Sequence, residues 1–239
     1  MGAYWSRPTA PRASHPISAQ EIPEPGESCR FDLREFSCFP YPPPENQGNS
    51  VTCVAHSFAM ALYCAERMYS GDSDNFYYPE LMTIFLAALQ DSPDKNRGVS
   101  FEAIAKGLKN TYASRLTNLG AKYAVLTNST KEARRVLRRG LPLIVGYQVD
   151  VEIDRFHRNA NVCRDYGFML PRFDNRGKSI SGHAVLVLGY DFSVQSFICR
   201  NSWGAEWGVQ GHFLIPFETF SDAGACTDVW YLDVPSNVV

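Results

Sequence analysis

The 239-residue chain contains no apolar run near the roughly 18 residues needed to cross a bilayer. Its N-terminus lacks the 7–15-residue apolar stretch of a secretory signal, so a cytoplasmic or other reducing intracellular location is expected. There is no basic excess either: 23 Lys and Arg stand against 25 Asp and Glu, a net charge of −2. That balance gives no electrostatic footprint for nucleic acid, and no block of like charge suggests a solvating tail. The seven cysteines, Cys29, Cys38, Cys53, Cys64, Cys163, Cys199 and Cys226, are odd in number and form no pair of CxxC knuckles. In a reducing compartment most of them are expected to be small buried apolar side chains. No internal repeat is visible.

What is present begins with proline. Residues 1–45 are rich in it, ending in Pro40-Tyr41-Pro42-Pro43-Pro44, which favours extended backbone. Residues 1–28 read as a Pro-rich extension, and such a segment is expected to be held by something, a protein partner included. Gly2 with Ser6 fits the loose N-myristoylation pattern. Arg7 and Arg12, with no acid before Glu21, also resemble a transit peptide, although the prolines interrupt any amphipathic helix.

Hydrophobic residues make up 45% of the chain, enough for a sizeable core. Val54, Ala55, Phe58, Ala59, Leu62 and Ala65 form one apolar stripe, predicting a helix over 53–68 capped by Ser50 or Thr52. Further helices are expected over 79–89, 101–108 and 130–137, the last closed by Gly140. Strands are expected over 143–149, 184–190, 196–200, 211–215 and 228–234. Helices first and strands second argue an α+β fold with two unlike lobes.

Cys53 falls in the first turn of its helix, where free N–H groups and the helix dipole favour a thiolate. Gln47 lies six residues earlier, on the entering loop. Its amide could serve an oxyanion hole with the Cys53 N–H, or simply face solvent. His183 opens the apolar stretch Ala184-Val185-Leu186-Val187-Leu188. Alone, it reads as a buried, satisfied histidine. Asn201, at a strand end in Asn201-Ser202-Trp203-Gly204, can accept from one imidazole nitrogen and leave the other for a thiol, with Trp203 covering that bond. Cys53 and His56 share a helical turn and supply half of a zinc site, with no second half in view, so no metal or other cofactor is expected. His157 and His212 read as surface or strand residues, Asp191 as a turn, and Trp207 and Trp230 as core.

These motifs, Asn46-Gln47-Gly48 before Cys53, Gly182-His183-Ala184-Val185, and Asn201-Ser202-Trp203-Gly204 through Trp207-Gly208, resemble those of the papain-like cysteine peptidases. His183 lies 130 residues after Cys53 and Asn201 148 after it, within the spacing of about 130–150 found in that family. The resemblance spans residues 29–234 and includes 101–108 and 140–147. It implies a papain-like two-lobed domain over 29–239, with a helical lobe about 45–139, a β-barrel-like lobe about 140–239, and an active-site cleft between them. It also implies a thiol peptidase acting on peptide or protein substrates, with Cys53 as nucleophile, His183 as base and acid, Asn201 as orienter and Gln47 as oxyanion donor. The thiol pKa it implies is roughly 3–4.

Four departures qualify the resemblance. Ser50 stands where the family has a disulfide cysteine, in keeping with a reducing compartment. Val51 replaces a cleft-lining glycine, and Val54 replaces an aromatic residue. The fourth departure is that only 52 residues precede Cys53, short of a long inhibitory prodomain. Restraint would then come from the Pro-rich segment, a partner or low activity. The alternative function is a structural or interaction subunit docked in a larger assembly, with little or no proteolysis.

Overall fold

The computed structural model describes residues 21–36, 41–69, 81–89, 98–118, 120–174 and 179–235. Gly2, Ser6, Cys38 and the first two residues of the helix expected at 79 lie outside them. In chain order the elements are β1 (Arg30–Asp32), α1 (Leu33–Phe36), α2 (Cys53–Tyr69), α3 (Leu81–Leu89), α4 (Phe101–Thr111), α5 (Ala113–Asn118), β2 (Lys122–Val125) and α6 (Thr130–Arg138). There follow β3 (Leu143–Val149), α7 (Val151–Arg158), α8 (Ala160–Asp165), β4 (Ser181–Asp191), β5 (Ser196–Arg200), β6 (His212–Pro216), α9 (Phe217–Ser221) and β7 (Cys226–Asp233).

The α+β class is as expected, and α2, β3 and β5 begin and end close to where the residue pattern places them. The barrel-like lobe is not found. The strands form one antiparallel sheet in the order β2-β7-β3-β4-β5-β6, with β1 added to the far part of β4. No β6–β2 pairing closes it among the described residues. The lobes also trade elements. β2, from the helical half, pairs with β7, and the short helices α7, α8 and α9 interrupt the strand-rich half.

The central helix α2 buries Val54, Ala55, Phe58, Ala59, Leu62 and Ala65, the predicted stripe. Phe58 meets the rings of Phe101, Tyr123 and Trp230 at centroid distances of 5.4, 5.0 and 6.1 Å. One side chain thereby ties α2 to α4, β2 and β7, and its burial contributes about 1.5–3 kcal/mol. Ser100 caps α4 by accepting from the Ala103 N–H at 3.2 Å.

Residues 21–28 pack on the outer face of α6. Arg134, buried, takes Glu21 at 2.5 Å and Glu27 at 2.9 Å, and Arg138 adds a second contact to Glu27 at 2.8 Å. β1 follows, laid against β4 so closely that a Cβ at Gly189 would sit 2.2 Å from the Phe31 carbonyl oxygen. The proline stretch then crosses the end of β5. Proline-rich backbone leaves its carbonyls without intrasegment partners, and Arg200 supplies them, donating to Pro42 O at 2.6 Å and Pro43 O at 2.9 Å. Gly211 makes room at this crossing: its φ is +77°, and a Cβ there would lie 2.5 Å from Pro44. The crossing delivers residues 46–53 to the sheet's edge, where Asn46 bridges to Trp203.

Candidate active site

The cleft has the start of α2 and residues 46–51 and 98–102 on one wall, and β3, β4 and the loop after β5 on the other. Its volume is about 1210 Å³. Gln47, Cys53 and His183 line it, and Asn201 lies directly behind His183. All four residues singled out in the sequence therefore meet at one place.

Cys53 is the first residue of α2, so its N–H and that of Val54 belong to the unpaired first turn. Burial in the wall pushes its thiol upward, against the N–H groups of Ala184, Val54 and Cys53 itself, which favour the thiolate. Ala184 follows His183 on β4, so the sulfur sits against the histidine's own strand. Among the described residues no hydrogen bond joins the Cys53 sulfur to the imidazole.

His183 is buried, 8% exposed, and its Nε2 lies 2.8 Å from Asn201 Oδ1. The same oxygen accepts the Ser202 backbone N–H at 2.8 Å. An N–H can face only an acceptor, so this contact fixes the amide's orientation. His183 Nε2 must then carry the hydrogen, which leaves the lone pair on Nδ1. Burial lowers the imidazole pKa to about 4, and the bond to Asn201 raises it only in part. The Trp203 indole stacks on the ring at 4.6 Å and 22°. Asn201 is itself anchored by its N–H to Gly211 O at 2.9 Å, while its Nδ2 is buried without a partner.

Gln47 is held at three points. Its N–H donates to Ser202 O at 2.8 Å, Ser202 Oγ donates to its Oε1 at 2.5 Å, and its Nε2 donates to Ser50 O at 2.6 Å. A primary amide nitrogen has two hydrogens, so one remains available.

Several sequence expectations change here. His157 is neither a strand nor an open surface residue. It lies in α7, half-buried, with its ring 5.4 Å from that of His183 and 4.7 Å from that of Trp203. The signal for it was Asp150 followed by Ile153 and Phe156, an N-cap and a buried i, i+3 pair. His212 opens β6 and is buried. His56 Nδ1 donates to the Glu45 carboxylate at 2.8 Å. Among the described residues no group of three or more His, Cys, Asp or Glu could hold a metal. Val51 does line the cleft, 39% exposed, and Val54 is buried beneath Cys53's turn. The low thiol pKa implied by the resemblance is opposed here by burial.

Residues 122–231 match the family described as "Papain family cysteine protease". That match covers a little under half of the chain and makes this part of it similar to the papain-like cysteine peptidases. The chain is 23% identical over 236 residues to an uncharacterized peptidase C1-like protein of Acanthamoeba polyphaga mimivirus, covering 84% of this chain and 73% of that one. A viral cathepsin of Cydia pomonella granulosis virus is 33% identical over 98 residues, 40% of this chain and 26% of the cathepsin. Among solved structures, xylellain, a cysteine protease from Xylella fastidiosa, superposes with a TM-score of 0.71 at 19% identity, covering 90% of this chain and 91% of xylellain. A Carica candamarcensis cysteine protease gives a TM-score of 0.56 at 15% identity, covering 87% of this chain and 99% of that one. These likenesses extend the papain-like fold over most of the chain.

Proposed function

We propose that the protein hydrolyses peptide bonds through Cys53, His183, Asn201 and Gln47, with a covalent acyl-enzyme intermediate. The observation that carries this reading is the tautomer fixed by Ser202, which leaves a lone pair on His183 Nδ1 in the cleft that Cys53 also lines.

Burial disfavours a lone thiolate and a lone imidazolium alike, so the two charges form together, each offsetting the other's desolvation. His183 Nδ1 takes the thiol proton and Cys53 Sγ attacks the substrate carbonyl carbon. The oxyanion is met by the Cys53 N–H and the second Gln47 amide hydrogen. As the C–N bond breaks, His183 returns the proton to the departing amine and a thioester remains. Water, deprotonated by His183, hydrolyses that thioester and regenerates the thiol. Asn201 acts through His183, holding the ring in the required tautomer. Trp203 covers the His183–Asn201 bond from water.

The described cysteines Cys29, Cys53, Cys64, Cys163, Cys199 and Cys226 are all free thiols, which suits a reducing compartment. A quenched fluorescent peptide library tests the activity. Hydrolysis by the wild-type chain that disappears in Cys53→Ala is expected; equal turnover by both proteins, or none by either, overturns the reading.

A further inference from the structure

We propose that His157 binds substrate, its Nδ1–H donating to a backbone carbonyl of the peptide segment that departs with the leaving amine. The inference deepens the hydrolase reading above and rests on it. Tyr147, 2% exposed, has one polar atom to satisfy, and its hydroxyl lies 2.9 Å from His157 Nε2. If His157 donated from Nε2, the buried phenol hydrogen would have no acceptor, a cost of about 1–3 kcal/mol. The phenol therefore donates to Nε2, and the neutral ring carries its hydrogen on Nδ1. Burial and the neighbouring His183 hold His157 in that neutral form.

Among the described residues Nδ1 has no hydrogen-bond partner, and it is not one of the closed-off polar atoms, so it is a donor open to the cleft that His157 lines. Its position is fixed from three sides. Phe156 is fully buried next to it, the Trp207 indole N–H donates to the His157 carbonyl at 3.1 Å, and the Trp203 ring contacts both imidazoles, 4.7 Å from His157 and 4.6 Å from His183.

The reaction itself assigns which part of the substrate passes this donor. His183 must reach the departing nitrogen, so the leaving segment lies on the His183 side of Cys53. His157 stands beside His183 in the cleft, 5.4 Å ring to ring. A carbonyl in the first residues of the leaving segment is the chemistry that an N–H at this position recognises.

The test compares wild type with a Tyr147→Phe/His157→Phe double variant, which removes the donor without stranding the phenol. Two substrates share one acyl portion; one releases a glycyl-glycinamide, the other an arylamine that has no carbonyl. The double variant is expected to lose about threefold to tenfold more kcat/KM on the first, the worth of one hydrogen bond. Equal losses on both, or no loss, overturn the role of His157 while leaving Cys53-dependent hydrolysis standing. Should neither substrate turn over, the hydrolase reading fails, and the binding role is settled separately. Titration of Cys53→Ala protein with the uncleaved glycyl-glycinamide substrate would then show weaker binding in the double-variant background if His157 donates, and equal binding if it does not.

Discussion

Asn201 Oδ1 accepts from two donors at once, His183 Nε2 and the Ser202 backbone N–H, each at 2.8 Å. The second contact makes the first unambiguous, and it gives Asn201 a role that other side chains fail to supply. Asn201→Ala should lower kcat/KM on the order of 10²-fold, mostly in kcat, because the ring then samples the wrong tautomer. Steady-state kinetics on one peptide substrate checks this; a change confined to KM would point to substrate contact instead.

Gln47 is locked by Ser202 and Ser50 before any substrate arrives. A donor fixed in advance stabilises charge only as it develops, so Gln47→Ala should cost about 10²–10³-fold in kcat with a small change in KM. Ser202→Ala, which removes one of the two anchors on the amide, should give a smaller loss of the same kind.

The thiol and imidazole should titrate as a pair. In Cys53→Ala, His183 is left with burial as its main influence and should titrate near pH 4. With the thiol present the imidazolium should persist to higher pH, because its partner is then an anion. Nitrogen chemical shifts of His183 in the two proteins measure this. Identical titrations would show that Cys53 and His183 are not coupled.

Acid should destabilise the fold through its buried histidines. Burial lowers His183 to about 4 and His212 to about 3, with Arg34 and Arg200 adding to the His212 shift, and His157 falls well below its ordinary 6.5. Between these values and 6.5 the unfolded chain binds more protons than the folded one. The stability these groups contribute is therefore complete above about pH 6.5 and is lost as the pH falls toward 4. In Cys53→Ala, where no thiolate partner favours the imidazolium, His183 alone accounts for on the order of 3 kcal/mol. Thermal melts from pH 7.5 to 4 should show Tm falling most steeply below 6.5, and a flat profile would contradict these burials.

How far the sequence alone carried the fold differs by region. The α2 stripe from Val54 to Ala65 and the apolar strands β3 to β5 were legible because burial of one face writes a period into the chain. Cys53, His183 and Asn201 stood out because each lies at or beside an element's end, and Gln47 because it lies on the loop entering α2. Strand order was not legible, since nothing local in β2 specifies as its partner β7, whose paired residues lie more than 100 positions on. The burial of Arg134 and Arg200 was not legible either, since the segments that cover them come from the N-terminal 45 residues. His157 was missed because α7 spans only two turns, too short for its period to outweigh its polar residues.

The intact mass of the protein during turnover of an ester substrate tests the central claim most directly. Rapid quenching in acid should reveal a species heavier than the free chain by the acyl group, mapped by peptide digestion to Cys53 and absent from Cys53→Ala. Turnover with no adduct on Cys53, or an acyl group on another residue such as the exposed Cys29, would contradict it.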